Sequence, residues 1–325
     1  MYYGSVLNFD VLSLNLFSPP VMAFALGVLA ALINSDLRFP PQITTYLSAY
    51  LLLAIGIKGG VALRTAPTDG SLQVVAGAIA LGAILPLITF YAARYFMKQN
   101  VEDSASLAAH YGSVSAVTFT AAMGFAASVG YEPDALLPAL VAILEVPGIV
   151  VALFLYQRWA GDSSNLSHAL REVISGKSVV LLVGGIIMGR FASDAGIEAV
   201  SPFFVVLFPG LLTLFLLDLG AAAGRKIHDV IGAGWRMVTW GIVGSAAFGL
   251  LGVAVGSFVG LNPGGAAVLG AMAASASYIA APAAVAVGIP RAKKEVALAC
   301  AVGVTFPFNL AVGIPLYLEI AKVLA

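Results

Sequence analysis

Two short elements place small hydroxyl residues inside long apolar runs: His110-Tyr111-Gly112-Ser113-Val114-Ser115 and Ala273-Ala274-Ser275-Ala276-Ser277. Pro282 lies just beyond Ser277 and cannot donate to a helical ladder, which favours an interrupted helix there. An interrupted membrane helix leaves backbone N–H groups free and turns a positive dipole end toward the gap. Two such gaps facing each other would gather the hydroxyls of Ser113, Ser115, Ser275 and Ser277 around the bare backbone at Gly112. That combination suits a small anion. Small residues also let membrane helices pack closely, so a single cluster would read as packing; the two occupy equivalent positions of a repeat described below, which favours the anion.

Four ionisable residues lie inside apolar runs, where a charge needs a partner or a task. Lys58 and Asp218 have opposite signs and could pair, or each could snorkel to an interface. Glu145 precedes Pro147; it could hold a cation, or stay protonated as a structural carboxyl in an apolar site. Thr305 and Asn309 flank Pro307 and bring two more hard oxygens of the kind a cation such as sodium prefers. His110 stands one turn before Ser113; it reads as a packing residue, with a proton role as the alternative. The remaining histidines, His168 and His228, are isolated, and no metalloprotease, hydrolase or phosphate-loop motif occurs. Enzymes and nucleotide-driven pumps are thereby excluded. The single cysteine, Cys300, lies in an apolar run and reads as packing, not as part of a disulfide framework.

The elements that carry these residues are membrane helices. The chain has 325 residues, 60% of them apolar and 10% charged, and mean hydropathy is +0.99. So few charges cannot cover a soluble globule of this size, whereas a lipid-solvated chain needs them only in its loops. Lys+Arg and Asp+Glu balance at 16 each, so no net field points to nucleic acid. Met1-Tyr2-Tyr3-Gly4 lacks the basic start of a cleaved signal.

Runs long enough to cross a bilayer fall at 20–34, 43–63, 71–95, 105–128, 135–157, 178–193, 203–223, 236–260, 264–288 and 296–321. They are continuous, without the alternation of a barrel strand. With the N-terminus outside, twelve of the sixteen basic residues fall in loops on the cytoplasmic side, among them Arg94, Lys98, Arg158, Lys177, Arg225 and Lys293. Arg64, Arg190 and Lys322 fall opposite. Cytoplasmic loops hold the excess of Lys and Arg, so both termini are expected outside.

The two halves of the chain resemble each other. The Leu-rich run ending Lys58-Gly59-Gly60 matches that ending Asp218-Leu219-Gly220, Ser113-Val114-Ser115 matches Ser275-Ala276-Ser277, and Glu145-Val146-Pro147 matches Thr305-Phe306-Pro307. This is an internal repeat, expected at 1–160 and 178–325 with a polar cytoplasmic linker at 161–177. Five spans per half make the second copy inverted. That is the architecture of secondary transporters, with the ligand near the midplane.

Gly59-Gly60-x-x-x-Arg64, Gly112-Ser113-Val114-Ser115, the Pro147 span and Ser275-x-Ser277-x-Ile279-x-x-Pro282, in this order over nearly the whole chain, resemble the sodium-dependent bicarbonate transporter family, the SbtA type of cyanobacteria and other bacteria. The resemblance implies an all-α polytopic protein of the bacterial inner (plasma) membrane, with ten helices in two inverted five-helix repeats, broken helices, and core and gate domains. It also implies a homotrimer, elevator-type movement, and a PII-like regulatory partner on the cytoplasmic face. Bicarbonate carries over to Ser113, Ser115, Ser275 and Ser277 with neighbouring backbone such as Gly112, and Na+ to nearby oxygens such as Thr118 and Glu145. One position departs: Tyr278 stands where the best-known relatives have an acidic residue. The expected function is sodium-coupled bicarbonate import; the alternatives are a sodium/proton antiporter, for which Glu145 is the available carboxylate, and an anion channel, which needs a continuous polar pore.

Overall fold

The computed structural model describes residues 9–64, 71–160, 166–232 and 234–324. Met1-Tyr2-Tyr3-Gly4 and the Asp162-Ser163-Ser164-Asn165 part of the predicted linker lie outside them. No strand occurs among the described residues. The helices are α1 Phe9–Leu16, α2 Pro19–Leu32, α3 Pro41–Ala62, α4 Ser71–Tyr95, α5 Val101–Gly112, α6 Ala116–Ser128, α7 Leu137–Ala160, α8 Leu166–Ile174 and α9 Lys177–Phe191. They continue as α10 Asp194–Arg225, α11 Ile227–Gly232, α12 Trp235–Phe258, α13 Pro263–Ala273, α14 Ala280–Gly288 and α15 Glu295–Leu324.

Six of these are long and apolar enough to cross a membrane: α3, α4, α7, α10, α12 and α15. The other four predicted runs are carried by shorter pieces. The runs at 20–34 and 178–193 become α2 and α9, and those at 105–128 and 264–288 are each broken in two, as α5–α6 and α13–α14. The predicted linker is only partly irregular. It contains α8, whose Val173 is buried in the cluster formed with Ile149, Tyr156 and Val285.

Local chemistry sets the ends. Pro19 and Pro41 open their helices at the first turn, where a missing N–H costs nothing. Asn100 caps α5 by accepting from Asp103 N, and Asn262 caps α13 by accepting from Gly265 N. π-Helical stretches interrupt α10 at Pro202–Val206, α12 at Trp240–Gly244, and α15 twice, at Ala301–Thr305 and Asn309–Gly313.

Two tightly packed helix pairs stand beside a larger bundle. The α2 helix packs along the Phe208–Arg225 stretch of α10, and α3 along α9. Both pairs meet backbone to backbone: a β-carbon built on Gly185 would lie 2.9 Å from the Gly56 α-carbon, an approach only glycine permits. In the bundle α5 packs against α4 and α7, and α13 against α12 and α15.

Candidate functional site

Both broken helices open at their serine elements. Ser113 (φ −107°, ψ 152°) and Ser115 (φ −91°, ψ 112°) are extended, and residues 275–279 leave the helix between α13 and α14. All four serines are buried. Each gap is closed by its own side chains and by the other gap. The Ser115 hydroxyl caps α6 by accepting from Thr118 N at 3.2 Å, and the Ser277 hydroxyl accepts from Ala281 N at 3.3 Å. Across the gap Ser115 N donates to Ser275 Oγ at 2.8 Å, and Ser277 N donates to the His110 carbonyl at 2.7 Å. The His110 ring returns the contact, with Nδ1 2.6 Å from the Ser277 carbonyl oxygen. Asn309 steadies the second gap from behind: its amide donates to the Ala274 carbonyl at 2.9 Å and accepts from the Tyr317 hydroxyl at 3.0 Å.

The sequence-predicted residues do not all arrive at one point. Ser115, Ser277, Tyr278 and Glu145 do, lining a crevice with Val114, Ala116, Ile279 and Ser178 that is too narrow for a water-sized sphere. Ser178, at the start of α9, carried no sequence signal, because a serine in an apolar run reads as packing. It bonds the Glu145 carboxylate, whose Oε2 has no hydrogen-bond partner. The Tyr278 ring stands edge-on to Phe306 at 6.1 Å, and its hydroxyl points toward Ser115 without closing a bond of normal geometry.

Ser113 instead lines a separate apolar cavity with Gly112, Leu85 and Met272, its hydroxyl unpartnered. Ser275 is a clamp, bonded to Ser115 N and donating to the Met272 carbonyl at 2.7 Å. Gly112 is where α5 presses on α7: a β-carbon there would lie 3.0 Å from the Gly148 α-carbon. Its absent side chain thus serves packing as well as access.

The oxygens proposed for a cation divide in the same way. Thr118 Oγ1 and Glu145 Oε2 are buried and unpartnered, which leaves both oxygens open to a cation, and of the two only Glu145 lines the crevice. Thr305 does not fit. Its hydroxyl contacts Tyr111 at 2.6 Å, the Gly241 carbonyl at 3.1 Å and Ser245 at 3.4 Å, which exhausts a donor and two lone pairs. Asn309 is likewise occupied by Ala274 and Tyr317. No group of three His, Cys, Asp or Glu forms among the described residues, so a cation here would rest on hydroxyl, backbone and single carboxylate oxygens.

Lys58 and Asp218 do not pair. Lys58 Nζ sits 4.7 Å from the Phe208 ring centroid, while Asp218 Oδ2 accepts from the Thr44 hydroxyl at 2.6 Å. A match in local sequence does not decide which neighbour a side chain turns toward. His110 is more than a packing residue, since it joins the two gaps. Cys300 is buried as expected and takes part in a polar network, with Sγ 3.1 Å from the Tyr111 hydroxyl.

The crevice offers hydroxyls, helix N-termini and one carboxylate, and no nucleophile–base pair. Groups of this kind suit an anion beside a cation. No curated protein matches the chain. Residues 19–322 match the Na+-dependent bicarbonate transporter superfamily; the chain belongs to this family of membrane transporters and is not an enzyme.

Proposed function

We propose that the protein imports bicarbonate by symport with sodium, by alternating access of the elevator type. The observation that carries this reading is the mutual bonding of the two gaps at Ser115–Ser275 and His110–Ser277, beside a crevice that holds Glu145. Bicarbonate would lie against Ser115, Ser277 and the first N–H groups of α6 and α14, where hydroxyl donors and positive dipole ends favour an anion. Ser113 and Ser275 would support it from behind. Sodium would lie at Glu145 and Thr118, its charge offsetting that of the anion.

The packing supports two inverted repeats at 1–160 and 178–325 and ten crossings. Exchanging the halves turns the α2–α10 pair into the α9–α3 pair and the α4–α5 contact into the α12–α13 contact, and all four are present. It also supports a division of labour. The crevice must widen to admit an anion, and one of its walls, Ser178, stands on α9 of a glycine-packed pair while the others stand on the bundle. Movement of the bundle against that pair would open it. Both termini outside, the bacterial inner membrane, the homotrimer and the PII-like partner complete the proposal; orientation rests on the basic-residue count, the others on family resemblance.

Uptake of radiolabelled bicarbonate into proteoliposomes, with and without an inward sodium gradient, tests the reading. Sodium-dependent accumulation is expected. Sodium pulses that expel protons without bicarbonate would instead establish the antiporter, and gradient-independent equilibration of bicarbonate a channel.

A further inference from the structure

Glu145 and Ser178 come from different bodies. Glu145 stands on α7, which packs in the bundle against α4 and α5, and Ser178 stands in the first turn of α9, which packs along α3. Both are buried, at 2% and 4% exposure, and the Ser178 hydroxyl donates to the Glu145 carboxylate. This bond therefore crosses the boundary along which the bundle is proposed to move.

Ser178 is held in place from its own side. A β-carbon on Gly60 would lie 2.9 Å from the Gly189 α-carbon, a separation with no room for a side chain, and Arg64 Nε donates to the Gly189 carbonyl at 2.8 Å. Helices α9 and α3 run parallel: Gly185 faces Gly56 and Gly189 faces Gly60, the same offset in both pairs, which sets Ser178 level with Ala49, well inside α3 Pro41–Ala62. The first turn of α9 thus starts inside the apolar span. No side chain caps it, since Gly176 stands at the N-cap. The N–H groups of that turn have no intrahelical acceptor, and an uncapped helix start carries partial positive charge.

A carboxylate is what such an end favours, and a cation is what it disfavours. Helix α9 gives Glu145 a hydroxyl donor and a positive end, and both stabilise its charge as a bound sodium would. Glu145 Oε2 has no partner, so the carboxylate is claimed on one side only. The crevice around the two residues is too narrow for a water-sized sphere. A cation at Oε2 therefore needs space that the Ser178 wall now fills.

We propose that Ser178 and the α9 N-terminus are a latch that competes with sodium for Glu145. With the cation absent, the pair holds the carboxylate. With the cation bound, the carboxylate's charge is neutralised, the positive helix end faces a cation, and the contact between α7 and α9 loosens. Coupling of this kind is reciprocal: whatever the latch subtracts from sodium affinity, sodium subtracts from the latch. Sodium occupancy thereby reaches the contact that must break before the bundle moves, and an anion alone does not release it. The inference rests on the transport reading for the sodium and for the movement.

Sodium affinity is read without transport, from the sodium concentration that half-saturates the rise in unfolding temperature of the protein in detergent. Ser178→Ala removes the competitor and should lower that concentration at least about fivefold, while Ser178→Thr keeps the hydroxyl and should stay within about twofold of the parent. A higher concentration for Ser178→Ala would make Ser178 a sodium ligand and overturn the latch, as would an unchanged one. The reciprocal effect is measured with spin labels at Phe154→Cys and Ile187→Cys, on exposed positions of α7 and α9, in a Cys300→Ser background. Sodium should shift or broaden the distance distribution between them, and should change it little once Ser178→Ala is added. A distribution insensitive to sodium with Ser178 present overturns the latch even where Ser178→Ala does not fold. Bicarbonate uptake by the parent is read with and without a sodium gradient. Sodium-dependent uptake beside an unaltered Ser178→Ala titration refutes the latch alone, whereas a parent without such uptake refutes the transport reading.

Discussion

His110 and Ser277 hold each other at two points: the Ser277 N–H donates to the His110 carbonyl at 2.7 Å, and His110 Nδ1 lies 2.6 Å from the Ser277 carbonyl. Helix α5 ends next to His110 and leaves its last carbonyls without intrahelical partners. The extended backbone at Ser277 has the same need. Each gap thereby supplies what the other lacks, without lipid or water.

Bulk in this region should act more severely than loss of a hydroxyl. Ser115→Leu and Ser277→Leu should abolish bicarbonate uptake while the protein remains monodisperse in detergent. Ser115→Ala and Ser277→Ala should retain uptake with apparent affinity weakened by roughly 1.5–3 kcal/mol, the value of a hydrogen bond to a charged group. Uptake unaffected by either leucine would move the substrate elsewhere.

Ser275 and Ser113 separate structure from access. Ser275→Ala leaves the buried Ser115 N–H without its acceptor and should cost about 1–3 kcal/mol of stability. Ser113→Ala removes an unpartnered hydroxyl and should leave stability nearly unchanged. Thermal unfolding in detergent compares them; equal losses would show that the clamp at Ser275 carries no special weight.

The sodium response should follow the free oxygens and ignore the occupied ones. Glu145→Gln can keep the contact to Ser178 but loses the charge, and should raise the half-saturating sodium concentration by about tenfold or more, equivalent to ~1.4 kcal/mol. Thr305→Val should lower stability through the Tyr111 network and leave the sodium response alone. Tyr278→Phe should change that response little, and Tyr278→Asp should steepen it. Sodium titrations of uptake rates decide.

Lys58 and Asp218 should behave as independent sites. With Lys58 over Phe208 and Asp218 bonded to Thr44, the charge swap should not recover the single-variant losses, and effects should add to within ~0.5 kcal/mol. Recovery in the swapped protein would place them together in another conformation.

Asp134, in the loop after α6, accepts from Asn262 N at 3.1 Å and so ties that loop to the start of α13. Burial raises its carboxyl above the usual range. A carboxyl with a raised folded-state pKa binds its proton more tightly folded than unfolded, so its contribution is present at low pH and is lost as pH rises through the folded value. Relative to Asp134→Asn, the parent should gain stability as pH falls from neutral toward 4, measured by unfolding at each pH. A relative loss on acidification would reverse the assignment.

The amino-acid sequence by itself determined where the helices run and where they break. Solvation by lipid is a local property: an unbroken apolar run such as 71–95 becomes α4 Ser71–Tyr95 wherever its neighbours stand, and Ser-x-Ser followed by Pro282 opens a helix through its own backbone chemistry. The family was legible for the same reason. Tertiary structure decided which oxygens are free. Thr305 and Glu145 each stand two residues before a proline, yet Tyr111 reaches across from α5 to occupy the first while the second keeps an open oxygen. Lys58 and Asp218 match in register but turn toward Phe208 and Thr44, and Ser178 enters the site because α9 packs beside α7. Hydropathy along the chain sets a helix's position in the bilayer; the rotation of a helix about its own axis, which chooses the partner of each polar atom, is set by close packing against residues a hundred or more positions away.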